Sequence, residues 1–503
     1  MRVFKFISIL LLIFVSSANL LAYTNASQNT ARHPSVEPLF TVEEELGYTP
    51  SEILTGDEVF TLSILFSECQ LDTRASRSAM QKFQQIKNEV TSKEYKDMPE
   101  EDRGRAVLKL LYRSVLKEYE ANQTRMTTLC ETGYYNCVSS AILYMAAAKA
   151  AGLEVRGQKT PDHAFCTIYV KDSVTGKKRP IDVETTNPYG FNPGGKETIE
   201  NEDNIKMYYV VPDTNYTNRQ EVSDKYFTGI IANNSCVDYL DANDYFSAIP
   251  LYGAMCNLIK DEKSAAHRQA REDFFVFPTN YISLKTAGAT TFPAEEYASL
   301  VRWYASFIAR WGKNDTLQKN MDSAFNNLIT FCYQQKNYDL ADSSYKELKP
   351  YVTKKQLAQS EEIITELFIN VKLGDAEPFE KIEMITSLLN SLNPTASQKK
   401  RFSIELENAW IIILTNCMNN YDFRGGYEYA QKAEDQIPTS ATLRQITQVF
   451  YQNCIIEIHN NFVIQVNKGN YREAKKILEK GIADFPGDKT LSDDLALIKT
   501  VLP

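Results

Sequence analysis

The sequence has no excess of basic charge, no cluster of metal-ligating side chains and, after its first residues, no long apolar run. It holds 55 Lys and Arg against 64 Asp and Glu, for a net charge of −9, and it has no basic stripe, which excludes nucleic acid as the expected partner. No group of His and Cys has metal-ligand spacing, so neither a metal nor a cofactor is expected. The apolar stretch 411–414 is too short to cross a bilayer, so no membrane span is expected in the mature chain.

Histidine is also scarce, with four in 503 residues, and this scarcity singles out one of them. Only His163 stands between a cysteine, Cys137, and a carboxylate, Asp182, in segments with strong helix and strand patterns. A thiol, an imidazole and a carboxylate are the components of a nucleophile, its base and the group that orients the base. These three residues are therefore the candidate catalytic residues.

Cys137 stands where a helix is expected to begin. Asn136 is a good N-cap, an alanine-rich helix is expected to follow, and Gly152 is expected to end it. In the first turn the helix dipole favours a thiolate over a thiol, and the first backbone N–H groups are suited to hold an oxyanion. Two other thiols compete for the role: Cys130, expected in a loop, and Cys166, expected within a strand on the opposite face from the base.

The carboxylate partner of His163 follows from a predicted β-hairpin. Residues 171–178 are typical of a turn between two strand-like segments. Antiparallel pairing across this turn would bring His163 opposite residues 182–184. Asp182 and Glu184 share a face because side chains alternate along a strand. Asp182 is the expected partner, and Glu184 is the alternative.

At these residues the segment 128–212 resembles the transglutaminase-like cysteine hydrolase family. The resemblance is carried by Asn136-Cys137 at a helix start, the run 146–152 that ends in Gly, His163-Ala164-Phe165 at the opening of a strand, and Asp182 in the next strand. It implies a papain-related α+β core, in which the Cys begins a helix and an antiparallel sheet carries the His and the Asp. It also implies a catalytic domain over residues 126–215 with Cys137, His163 and Asp182 as its triad.

The N-terminus is typical of a secretory signal peptide, which is expected over residues 1–22. It has a basic start, an apolar run at 6–15 and small residues after it. Cleavage after Ala18, Ala22 or Ala26 is left open, and an uncleaved N-terminal anchor is the alternative. We therefore expect an exported protein, periplasmic or extracellular. For nine Cys in such a chain, both disulfides and buried free thiols remain open.

Helices are expected on both sides of the catalytic segment. Residues 23–125 carry capping-box and N-terminal Pro signals, which predict a helical region packed on the core. Residues 216–503 are expected to form an all-helical domain. Within it, the segment 468–486 resembles the second half of a tetratricopeptide repeat. Earlier segments of the domain match the same repeat pattern more weakly. The alternative is a helical domain without repeats.

An aromatic residue followed by Ala or Gly recurs through the C-terminal half. The four aromatics are Tyr245, Tyr338, Phe423 and Tyr471. Each is expected near the start of the second helix of an antiparallel hairpin, buried against the first helix. Stacked hairpins of this kind leave a concave face that is suited to a peptide or a partner protein.

Two functions from different classes fit these features. The first is a cysteine hydrolase, a peptidase or amidase, in which Cys137 attacks an amide carbonyl of a peptide or protein substrate while His163 and Asp182 assist. The second is a catalytically inactive domain that acts with the helical repeats as a scaffold for a protein or peptide partner. The reactivity of Cys137 relative to the other eight thiols discriminates the two.

Overall fold

The computed structural model describes residues 33–172, 175–193, 198–200, 206–208, 218–286, 292–391 and 395–501. The signal peptide expected over residues 1–22 lies outside these residues. The chain divides into two compact units between Phe325 and Asn326. No helix in the described part of the chain combines the length and apolar character that a membrane crossing requires.

The first unit combines helices with a small antiparallel sheet and is of the α+β class. Its helices are α1 (Val42–Leu46), α2 (Gly56–Glu68), α3 (Arg74–Val90), α4 (Lys93–Asp97), α5 (Glu100–Ser114), α6 (Met126–Thr132), α7 (Cys137–Ala150), α8 (Asp224–Asp241), α9 (Tyr245–Leu258), α10 (Ala265–Thr286), α11 (Ala294–Trp311) and α12 (Asp315–Gln334), the last of which runs past the division. Its strands are β1 (Glu118–Tyr119), β2 (Tyr134–Tyr135), β3 (Glu154–Lys159), β4 (Ala164–Lys171), β5 (Lys178–Val183), β6 (Thr198–Glu200), β7 (Lys206–Tyr208) and β8 (Gln220–Val222).

Four of these strands form the main sheet, in the order β5-β4-β3-β8, and all neighbours are antiparallel. The hairpin β4–β5 pairs Thr167 with Asp182 and Cys166 with Val183. Strand pairs also form between β1 and β2, which are parallel, and between β6 and β7. Side chains of β4 alternate between the face that carries Thr167 and the face that packs on α7.

The helix that begins at Cys137 lies at the centre of the first unit. Its first twelve residues, Cys137–Ala148, are all buried, because α2, α3, α5, α8 and the sheet surround it. Small side chains permit this close packing: a Cβ on Gly56 of α2 would lie 2.3 Å from the Ala146 carbonyl oxygen. The expected N-cap is confirmed, since Asn136 Oδ1 accepts from the N–H groups of the second and third residues of α7.

The expected domain boundary at residue 215 does not coincide with the division of the chain. Strand β8 pairs with β3, and α8 packs on both α2 and β3. A buried ion pair adds to this contact, with Lys149 Nζ 2.7 Å from Asp224 Oδ2. The helices α8–α11 therefore belong with the sheet, and the contacts that hold them there are specified by residues far apart in sequence.

An extended N-terminal segment, residues 33–40, is bound along the helices of the first unit. The indole N–H of Trp303 donates to the Pro34 carbonyl and that of Trp311 to the Val36 carbonyl, each at 2.7 Å. The Leu39 N–H donates to the Pro250 carbonyl at 2.8 Å. We call this segment the N-terminal strap. Two of its backbone carbonyls thus accept from side chains of α11.

The second unit is helical throughout its described residues. Its helices are α13 (Tyr338–Leu348), α14 (Lys354–Phe368), α15 (Pro378–Ser391), α16 (Ala396–Asn419), α17 (Phe423–Gln436), α18 (Ala441–Asn467), α19 (Tyr471–Asp484) and α20 (Lys489–Val501), and a π-helical turn (Ile369–Leu373) follows α14. Two apolar cores form, one centred on α16 and α17 and the other on α18, α19 and α20.

One turn conformation recurs before α9, α13, α17 and α19. The residue with positive φ is Asn243, Lys336, Tyr421 or Gly469, and it is followed by the N-cap residue Asp244, Asn337, Asp422 or Asn470. In all four turns the N-cap N–H donates to the carbonyl five residues earlier, at 2.7–2.9 Å. This is the Schellman arrangement, which ends one helix and lets the next begin at once.

The four recurring aromatics are the first residues of the helices that follow these turns. Tyr245 is buried, and Tyr338 and Phe423 are half-buried against the apolar cores. Tyr471 differs from the expectation, because 37% of its surface is exposed. The aromatic therefore marks the start of each second helix, but its burial is not uniform.

Candidate active site

His163 lies immediately before β4 and faces a carboxylate that comes immediately after β5. Its Nε2 is 2.6 Å from Glu184 Oε2. The other oxygen of Glu184, Oε1, accepts from the Thr186 N–H at 3.0 Å and from the Thr186 hydroxyl at 2.7 Å. The carboxylate is 1% exposed, so these bonds replace the water it has lost.

Asp182, the expected acid, does not contact His163. Its Oδ1 accepts from the Thr167 hydroxyl at 2.7 Å, and its Oδ2 is 2.6 Å from Arg219 Nη1. The reason is the register of the hairpin, which pairs Asp182 with Thr167. His163 is four residues before Thr167, which places it roughly 13 Å along the strand at about 3.3 Å per residue. The alternative, Glu184, occupies the position expected for Asp182.

Cys137 contacts the same imidazole from the start of α7. The imidazole of His163 lies close enough to the Cys137 thiol for the thiol to help raise the pKa of His163, and its Nε2 hydrogen-bonds Glu184. The structure thus brings a thiol, an imidazole and a carboxylate together, in Cys137, His163 and Glu184.

His163 and Glu184 each stabilise the charged form of the other. Burial alone would lower the pKa of His163, but its hydrogen bonds to Cys137 and Glu184 outweigh burial and raise the pKa to about 10. Burial would likewise raise the pKa of Glu184, but His163 and Thr186 hold this pKa below its usual value. The site therefore favours an imidazolium next to a carboxylate at neutral pH.

The three side chains are almost closed to solvent. Cys137 is 2% exposed and the His163 side chain 14%. Tyr119, at the edge of the site, is 46% exposed and meets Tyr135 edge to face at 6.0 Å. Burial, followed by the charges of Cys137 and Glu184, raises the pKa of Tyr119 to about 12. In this conformation the Cys137 side chain is almost wholly covered by protein.

The backbone amides of the first turn are partly engaged. The N–H groups of Val138 and Ser139 both donate to Asn136 Oδ1 at 3.0 Å. They are not aimed at a substrate, contrary to the expectation from sequence. The candidate for an oxyanion contact is therefore the N–H of Cys137 itself.

The competing thiols are poorly placed for chemistry. Cys130 lies in α6 and not in a loop, and burial raises its pKa to about 12. Cys166 lies on the face of β4 that packs on α7, and its thiol donates to the Ala141 carbonyl at 3.2 Å. Burial also raises the pKa of Cys166 and of the six remaining thiols other than Cys137. All nine cysteines are free, which decides the question of disulfides left open by the sequence.

The described residues contain no group of three or more His, Cys, Asp or Glu that could hold a metal ion. Comparisons of the chain with protein-family models, curated proteins and solved structures gave no match. What the site does must therefore be argued from its own geometry.

Proposed function

We propose that this protein is a cysteine hydrolase of the transglutaminase-like type, acting on an amide bond of a peptide or protein. The observation that carries the proposal is the imidazole of His163 held between the Cys137 thiol and the Glu184 carboxylate. Cys137 would be the nucleophile, His163 the base and Glu184 the group that orients the base. The antiparallel sheet beside a helix that begins at the Cys supports a papain-related core.

The chemistry requires only these groups and water. The Cys137 thiolate attacks the carbonyl carbon, and the N–H of Cys137 is the candidate donor to the resulting oxyanion. The imidazolium of His163 then gives its proton to the departing amine, which leaves a thioester on the sulfur. His163 next takes a proton from water, the hydroxide attacks the thioester, and the carboxylic acid departs as the thiolate and the imidazolium are restored. An amine in place of water would give acyl transfer, for which no residue marks a site.

The low exposure of Cys137 favours a second candidate, a catalytically inactive domain that serves as a scaffold. In that case the helical second unit, which we propose to be a degenerate tetratricopeptide-like stack, would bind the peptide or protein partner. The recurring Schellman turns support the repeat proposal. Export from the cytoplasm rests on the N-terminal sequence alone.

Thiol reactivity separates the two candidates. Full-length protein would be treated with limiting iodoacetamide at pH 7, and the alkylation of all nine cysteines would be followed by peptide mapping. A hydrolase requires Cys137 to react at least about 10-fold faster than any other thiol, and faster than in the His163→Gln variant. Equal or slower reaction of Cys137 would contradict the hydrolase and favour the scaffold.

Hydrolysis itself has a direct readout. A mixed peptide library would be incubated with the protein in water enriched in oxygen-18, and the products would be examined by mass spectrometry. Hydrolysis predicts label in new carboxylates, and Cys137→Ala as the matched control should give none. A product formed only when a primary amine is added would assign acyl transfer in its place.

A further inference from the structure

Thr185, which follows the acid of the site, is buried and joined to two different helices. Its hydroxyl is 2.9 Å from the Ser140 hydroxyl of α7, and its carbonyl accepts from the Tyr112 hydroxyl of α5 at 2.9 Å. Ser140 donates its own proton to the Asn136 carbonyl at 2.8 Å, so Thr185 is the donor toward Ser140. The hydroxyl and the carbonyl of Thr185 thus fasten the acid segment to neighbouring helices.

Tyr112 connects this segment to the residue before the nucleophile. Its hydroxyl is 3.0 Å from the hydroxyl of Tyr135, and the two rings meet edge to face at 6.1 Å. Because Tyr112 donates its proton to Thr185, Tyr135 is the donor in the pair of hydroxyls. Tyr135 ends β2 and is followed by the N-cap Asn136 and then by Cys137. A chain of hydrogen bonds therefore runs from the nucleophile loop through α5 to the acid segment.

We propose that Tyr112 and Thr185 are positioning residues that hold Glu184 against His163, and so keep the imidazole oriented beside Cys137. The inference rests on the proposed function. Neither residue touches the reacting atoms, and each acts through Glu184.

The need for such support follows from the position of the acid. Glu184 lies beyond the last ladder pair of the hairpin, Cys166 with Val183. Beyond that pair, the bridge from Val183 to Phe191 and the bond from the Glu184 N–H to the Gly190 carbonyl at 2.7 Å hold the segment within its own loop. A short hydrogen bond to His163 requires one rotamer of Glu184, and therefore a loop that is fixed relative to the helices. The bonds of Thr185 supply this attachment to α5 and α7.

Other titratable groups face Cys137 and His163 and could affect the pH dependence of Cys137 alkylation. Tyr119 and Tyr135 are both close, and burial raises the pKa of each phenol above its usual value. On the sheet face, Arg219 lies 5.7 Å from the Phe165 ring, which stacks on His163 at 6.2 Å, and it is paired with Asp182. The raised pKa values keep both phenols neutral between pH 5 and 9, so neither phenol accounts for a midpoint of Cys137 alkylation in that range.

The test is the rate of Cys137 alkylation by iodoacetamide as a function of pH in the full-length Tyr112→Phe variant. The variant keeps the ring and loses the hydroxyl. We expect the rate at pH 6 to fall by about 5-fold or more, and the midpoint of the rise in rate to move to higher pH, while the limiting rate at high pH is kept. Tyr144→Phe is the matched control, because its buried hydroxyl ties α7 to α5 through the Gly104 carbonyl at 3.1 Å but does not reach the acid segment.

Substitutions at Thr185 provide a second readout. Thr185→Ser keeps the hydroxyl and should behave as wild type, whereas Thr185→Val should shift the midpoint as Tyr112→Phe does. An unchanged midpoint in Tyr112→Phe and Thr185→Val, or an equal shift in Tyr144→Phe, would overturn the inference even if both variants melt at lower temperature. If wild-type Cys137 reacts no faster than the other thiols, the proposed function itself has failed, which is a separate result.

Discussion

Glutamate suits the acid position of this site because of its length. An extension of the hairpin register beyond Cys166 and Val183 sets Glu184 opposite Phe165, two residues from His163. Diagonal neighbours on a sheet are about 7–8 Å apart, so the carboxyl group must span most of that distance. The extra methylene of Glu, relative to Asp, provides the reach, and Thr186 fixes its second oxygen.

The first prediction compares the two acids. Glu184→Gln should slow iodoacetamide alkylation of Cys137 at neutral pH by about 10–100-fold, because the imidazolium that stabilises the thiolate loses its partner. Asp182→Asn should stay within about 2-fold of wild type, since Asp182 contacts Thr167 and Arg219. A larger effect from Asp182→Asn than from Glu184→Gln would restore the triad expected from sequence.

The second prediction concerns the imidazole. The His163 ring signal in an NMR titration should show a pKa of about 10 in wild type. Glu184→Gln should lower this pKa, because it removes a bond that favours the charged ring and leaves the burial that opposes it. An unchanged His163 pKa in the variant would show that Glu184 does not control the ring.

The third prediction concerns acid stability. The pKa of Glu184 is lower in the folded protein than its usual 4.5, so the unfolded chain binds more protons as the pH falls below that value. The stability that Glu184 contributes is present above about pH 4.5 and is lost as the pH falls through its folded pKa. Urea unfolding between pH 6 and pH 3 should therefore show a smaller loss in Glu184→Gln than in wild type. Equal losses of unfolding free energy in the two proteins would show that protonation of Glu184 does not contribute to acid destabilisation.

At the scale of residues, the sequence predicts which side chains form the site better than it predicts their hydrogen-bond partners. Cys137 and His163 are indicated by a helix start and a strand start, which are local signals. The choice between Asp182 and Glu184 depends on the hairpin register, which is set by packing on α7 and by a turn whose geometry its residues do not determine uniquely. The bonds of Tyr112 have no local signal, because they join segments far apart in the chain.

At the scale of elements, the recurring turn explains why the helical hairpins are visible in the sequence. An Asn or Asp before an aromatic caps each second helix, and the side chain makes the cap bond in three of the four cases. The positive-φ residue just before it is Gly at one turn only, so the glycine signal for a helix end is absent from the other three. The helix starts are therefore predictable from sequence, and the ends are less so.

The fourth prediction tests the packing of the last hairpins. Ala474 is fully buried between α18 and α19, so Ala474→Leu should destabilise the protein by about 1–3 kcal/mol through overpacking. Ala483 lies on the exposed side of the same helix, so Ala483→Leu should change the free energy of unfolding by less than about 0.5 kcal/mol. The free energy of unfolding from urea titrations measures both. Equal effects at the two positions would contradict the hairpin packing.

At the scale of the whole molecule, every residue of the candidate site and every element around it belongs to the first unit. The sequence placed the end of the catalytic domain near residue 215, because a change of pattern is visible there. The sheet nevertheless takes its last strand, β8, from beyond that point, and α8 covers α2. Such contacts join distant segments, and no local pattern reports them.

The fifth prediction follows from this division. A chain that ends at Leu348, after α13, should retain the Cys137 alkylation rate of the full-length protein within about 2-fold, because it keeps the whole first unit with α12 intact. A chain that ends at residue 217 should lose the enhanced rate, since it lacks β8 and the Asp224 partner of Lys149. Circular dichroism would establish that each protein is folded. Loss of reactivity in the longer chain would assign the second unit a part in the site.

The N-terminal strap sets the order in which the first unit can be completed. Its bonds to Trp303 and Trp311 span 269 and 275 residues of sequence, so a segment that is synthesised early is among the last to find its place. At roughly 5–20 residues per second, the strap waits about 15–50 s for its partners to be made. During that interval α9 and α11 lack the hydrogen bonds that the strap makes with them, so the first unit cannot be complete before α11 has been synthesised.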